Sequence, residues 1–165
     1  MGTKDLRPGT GDETARINRF ALIILTVIDS FLVVGYAREG VAGSIPPLFA
    51  WVFVACVLFS MAAAFGVYLK NHESGILKHV VMIGYGIVYA MAIMGARNDY
   101  VFVMAFPVAV VFILYFDVAF VVRASVIVML LNVIYAVRFY IIKGQMPSGA
   151  PVEMASVLLH LASGI

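Results

Sequence analysis

The chain has 165 residues, of which 64% are hydrophobic and only 12% charged. That is more apolar surface than one soluble core of this size can bury, which excludes a water-soluble globular domain and makes the bilayer the expected solvent. A net charge of +2 gives no sign of nucleic-acid binding, and a single cysteine, Cys56, excludes an intrachain disulfide.

Residues 1–15, MGTKDLRPGTGDETA, are polar and rich in Gly and Thr, and read as a disordered cytoplasmic tail ahead of a transmembrane domain over 16–165. Helix one is expected over about 18–37. Its apolar core of about 17 residues is long for a signal peptide and holds Asp29 near its centre, so it reads as a retained helix. After the short loop REGVAGS, Pro46-Pro47 opens helix two, about 47–69; proline suits a first turn because that N–H has no helical partner. KNHESGILKH is the most polar internal loop, and helix three follows over about 76–96. The turn RND leads into helix four, about 100–116, with Asp99 as its N-cap. So short a link makes helices three and four antiparallel neighbours.

The apolar stretch from Tyr100 to about Tyr135 is too long for one crossing of about 20 residues and holds Asp117 and Arg123. A helix starting at Tyr100 reaches Phe116 after about 25 Å, which leaves Asp117 at the far interface, beside the aromatic residues of LYFD. Asp117 therefore marks a tight hairpin turn. Helix five follows over about 118–142, and Arg123 snorkels back to the same interface. The rival is one over-long helix bent at Pro107, which would strand Asp117 in hydrocarbon. Pro107 itself leaves the Val103 carbonyl without its usual partner and predicts a kink. Pro151 opens a sixth segment, 151–165, which stops short of a full crossing. The expectation is therefore an all-α polytopic bundle of six antiparallel crossings, the sixth truncated, with a longer parent protein continuing beyond it.

Lys4, Arg7, Arg16, Arg19, Lys70, Lys78 and Arg123 fall on the side of the N-terminus, against Arg38, Arg97, Arg138 and Lys143 on the other. This bias puts the N-terminus in the cytoplasm. No strand-like polar alternation suggests a membrane barrel.

No metalloprotease, CxxC, phosphate-loop or nucleophile-elbow motif occurs, so no catalytic residue, metal or cofactor is expected and the chain does not read as an enzyme. His72, His79 and Glu73 flank the 70–79 loop and read as loop residues and a helix start rather than a zinc site. The informative side chains are polar ones at mid-membrane depth: Asp29, Asn132 and His160. Thr26, Asp29, Ser30 and Tyr36 share one broad face of helix one, and Glu153, Ser156, His160 and Ser163 recur at helical spacing on helix six. Such side chains cost several kcal/mol in hydrocarbon unless they face protein or water. Two readings stay open: a functional polar cluster, with Asp29 neutral or paired to His160 and Asn132 joining from helix five, or interhelical glue at about 1 kcal/mol per contact. Arg97, Asn98 and Asp99 read either as a capped turn or as the rim of a ligand-access site.

The stretch YVFVMAFPVAVVFILYFDVAFVVRASVIVMLLNVIYAV, Tyr100 to Val137, resembles the multi-helix membrane input region of bacterial methyl-accepting chemotaxis proteins and related diguanylate cyclases and histidine kinases. The match rests on Phe106-Pro107, Leu114 to Asp117, and Asn132. The resemblance implies a six-helix sensory module in a bacterial inner membrane. It further implies a cytoplasmic output domain after helix six, a homodimer formed through that domain, and a small-molecule or membrane-state signal. The other classes left open are a small transporter, a channel-like or membrane-assembly subunit, and an integral membrane enzyme.

Overall fold

The computed structural model describes residues 10–95, 105–115 and 117–137. They form α1 (Thr10–Val41), α2 (Pro47–Lys70), α3 (Leu77–Gly95), α4 (Ala105–Ile113) and α5 (Val118–Ala136), with no strand among the described residues. Helices α1, α2, α3 and α5 are long and apolar enough to cross a bilayer. The sixth crossing expected over 151–165 and the whole of 96–104 lie outside the described residues.

The boundaries follow local chemistry. α1 starts at Thr10, within the segment read as a disordered tail; Asp12 and Glu13 sit in its first turn, where negative charge complements the helix dipole. The same helix runs through the expected loop to Val41. It stops because Gly43 takes φ 71°, a conformation a side chain would oppose. Gly43 N–H then bonds the Gly40 carbonyl at 3.3 Å and Ser44 N–H the Glu39 carbonyl at 3.0 Å, the paired closure of a Schellman cap. α2 starts at Pro47, as its sequence predicts, and ends where Asn71 becomes extended. Between α2 and α3, Asn71 Oδ1 accepts the Glu73 N–H at 3.0 Å and Ser74 Oγ accepts the Ile76 N–H at 3.3 Å. α4 ends at Ile113, and α5 starts after an N-cap at Asp117. Pro107 lies inside α4; Val103, on which the expected kink depends, lies outside the described residues.

The core runs along α3. Leu77, Val81, Val88, Tyr89 and Ile93 are buried there against Leu25 of α1, Phe53 and Val57 of α2, and Phe120 and Tyr135 of α5. Outward-facing side chains are also large and apolar, among them Phe31, Phe59 and Val118, each more than three-quarters exposed, and Trp51, half exposed at the fifth residue of α2. Only 22–39% of the most apolar window of each long helix is buried in the bundle. That surface needs hydrocarbon around it.

Candidate functional site

Polar side chains inside the bundle gather at three levels. The first lies at the N-terminal end of α1. Asn18 is fully buried. Its Nδ2 donates to the His72 carbonyl at 2.8 Å and the Ser74 carbonyl at 3.1 Å, and its Oδ1 accepts from the Tyr115 hydroxyl at 3.0 Å. One amide thus ties α1 to the α2–α3 link and to the α4–α5 turn. Beside it, Lys78 Nζ donates to Asp117 Oδ2 at 2.5 Å, an ion pair whose side chains are 20% and 30% exposed. Asp117 Oδ1 accepts the Phe120 N–H at 3.0 Å, which caps α5. The Lys78 ammonium bonded to it, and then the Phe120 N–H, hold the Asp117 carboxyl below its ordinary value of 3.8. Arg123, six residues further along, adds to that field, and its Nε folds back to the Ala119 carbonyl at 3.0 Å. Phe120 is the apolar counterpart, fully buried. His79, Phe112 and Tyr115 meet its ring edge-on at 5.5, 5.2 and 6.0 Å, and Lys78 Nζ lies 5.5 Å from its centroid.

The second level is Asp29, only 2% exposed. Its Oδ2 has no hydrogen-bond partner among the described residues, and Tyr85 of α3 lies within electrostatic reach of it. The third level joins α3 to α5. The buried Tyr89 hydroxyl donates to Asn132 Oδ1 at 3.2 Å and accepts from Asn132 Nδ2 at 3.1 Å, while Nδ2 also donates to the Val128 carbonyl at 3.0 Å. Tyr85 and Tyr89 are one turn apart with stacked rings, centroids 6.5 Å apart.

Asp29 and Asn132 are therefore both interior; Asn132 is bonded to Tyr89 of α3, and Asp29 lies within electrostatic reach of Tyr85 on the same helix. His160, the partner expected for Asp29, lies outside the described residues, as do Arg97, Asn98, Asp99, Glu153, Ser156 and Ser163. The broad polar face expected on α1 divides. Asp29 points inward. Thr26 and Ser30 spend their hydroxyls on carbonyls of their own helix, Leu22 and Thr26, each at 2.7 Å. Tyr36 stacks on Phe53. The loop histidines pack edge-on against rings, His72 on Tyr68 and His79 on Phe120.

Sequence reasoning missed Asn18, Lys78, Tyr85 and Tyr89. Asn18 sits where the polar segment turns apolar, a place where an amide reads as a helix start. Lys78 registers in the sequence only as a charge. The spacing of Tyr85 and Tyr89 by four residues was the one available signal that they share a face. No protein-family model, curated protein or solved structure matches the chain.

Proposed function

We propose that this chain is the membrane-embedded input module of a bacterial signal transducer. In this reading six antiparallel crossings start from a cytoplasmic N-terminus in the inner membrane. A small-molecule or membrane-state signal biases their packing, and a homodimeric cytoplasmic output domain following helix six reads the change. The observation that carries the reading is the tyrosine pair of α3. Tyr85 lies within electrostatic reach of Asp29 of α1, and Tyr89 holds Asn132 of α5. A change in the bonding of Asp29 thus acts on the helix that also grips α5, which is the kind of bistable packing a transducer requires. The resemblance supports the same reading, since Asp117 and Asn132, two of the residues it rests on, both make interhelical contacts here.

The coding sequence downstream of Ile165 tests the proposal directly. It should continue into a coiled-coil signalling hairpin, a cyclase or a kinase; a stop codon within a few residues would sink it. In the full-length protein, Asp29→Asn should keep the fold and shift the dose response, and Asp29→Leu should insert normally because it removes a polar cost.

The Oδ2 of Asp29, which has no hydrogen-bond partner among the described residues, favours a second reading, a small transporter or channel-like subunit in which this carboxyl carries a proton or cation. Proteoliposomes loaded with a pH-sensitive dye separate the two. Proton flux abolished by Asp29→Asn would select transport.

A further inference from the structure

A groove of about 390 Å³ runs between α1 and α2 on the outside of the bundle. Ile23, Thr26 and Val27 of α1 and Phe65 of α2 form its apolar floor and walls, and Arg19 and Tyr68 stand at one end. Thr26 adds to the apolar character, because its hydroxyl is held by the Leu22 carbonyl and leaves the methyl group to the groove. Ile23 and Val27 are about half exposed, so the groove opens on the outer face of the described bundle. From Arg19 to Val27 is eight residues, or about 12 Å of helix, which covers most of the hydrocarbon depth of one leaflet, about 15 Å. Arg19 is adjacent to Asn18, which is bonded to the α2–α3 link, so the charged end of the groove is at a bundle end, at headgroup depth. Tyr68 is two residues from the end of α2, a position suited to an amphipathic ring at the interface. Its ring is braced edge-on by His72 at 4.4 Å. Arg19 makes no ion pair among the described residues, where the ion pair is Lys78 to Asp117.

An apolar channel one leaflet deep, with a guanidinium at its polar end that makes no ion pair among the described residues, matches the chemistry of one amphiphile. We propose that the α1–α2 groove is a binding site for an anionic phospholipid, with one acyl chain along Ile23, Val27 and Phe65 and the phosphate against Arg19. Guanidinium is suited to this task because its planar donors meet two phosphate oxygens at once. This proposal is independent of the signalling reading.

The test is thermal unfolding of the full chain in neutral detergent, titrated with phosphatidylglycerol, with phosphatidylcholine of the same acyl chains, and with inorganic phosphate. Phosphatidylglycerol should reach half its effect at about fivefold lower concentration than phosphatidylcholine, the preference one basic side chain near a membrane surface supplies. Arg19→Gln should abolish that preference and Arg19→Lys should retain part of it, while Val27→Trp, which fills the groove, should weaken both lipids. Equal effects of the two lipids on the unaltered chain would overturn the proposal; that is the result if a protein segment covers the groove. A preference that survives Arg19→Gln would also overturn it. So would inorganic phosphate alone reproducing the effect, which would mark a free-anion site.

Discussion

The two ends of the described bundle are held by different chemistry. At the end near Asn18, one amide, one ion pair and one N-cap join three chain segments. At the opposite end, where α1 finishes and α2 begins, the contacts are rings and close backbone approach. Tyr36 stacks on Phe53 with centroids 3.7 Å apart, and Phe49 leans on both rings at 6.4 and 6.3 Å. A Cβ at Gly40 would fall 2.5 Å from that of Ala50, and one at Gly95 would collide with the Phe49 ring. The polar end connects loops whose backbone groups need partners. The aromatic end connects helices directly and depends on what is absent from two glycines. The first should fail when a partner is removed, and the second when an atom is added.

Asn18→Leu should be the most damaging change. It leaves the Tyr115 hydroxyl and the His72 carbonyl without their Asn18 partner, while the Ser74 carbonyl keeps the Leu77 N–H, and should cost about 3 kcal/mol, at the upper end for unsatisfied buried groups. Limited proteolysis should show faster cleavage in the 71–76 link while the 42–46 link keeps its wild-type rate. Equal acceleration at both links would mean that the two ends are not separate. Gly40→Val should come next, at about 2 kcal/mol from overpacking against Ala50. Its expected signature is the reverse, with faster cleavage at 42–46.

Tyr89→Phe removes the contact midway between the ends and should cost about 1 kcal/mol or less, as membrane-buried side-chain hydrogen bonds do. A loss as large as that of Asn18→Leu would show that the interior levels, not the ends, hold the bundle. The smallest effect is expected from acid. Because the Asp117 carboxyl is held below its ordinary value of 3.8, its contribution is complete above that value and is lost as pH falls through the lower, folded one. The melting temperature should therefore stay level from neutral pH to about pH 4 with respect to this group and then decline. Asp117→Asn should remove that component of the decline and leave the Gly40 end untouched. A component that begins near pH 6 would assign it to another group.

The contrast also explains which features were legible in the sequence. The limits of α2 could be read because Pro47 and the polar 70–79 loop act locally. Asp117 could be read as the start of a helix because an acid after an apolar run has few other places to go. Its partner Lys78, 39 positions away, is fixed only by tertiary packing. The start of α1 was obscured because Gly and Thr composition masks the two acids that favour a first turn. Asp29 stood out as a charge among apolar residues. Tyr85 and Tyr89 did not, for a reason specific to membranes. Lipid and protein interior are both apolar, so periodicity does not separate the face of α3 that meets α2 and α5 from the face that meets lipid.

Trp51 turns this architecture into an optical instrument. It is the chain's single tryptophan, it is half exposed, and it lies four residues after the proline that opens α2, at the end remote from Asn18. Its emission therefore comes from a single depth. Lipids brominated at successive acyl carbons should quench it most strongly near the headgroups of one leaflet. Any movement of α2 along the bilayer normal would then register as a colour shift, with no label attached.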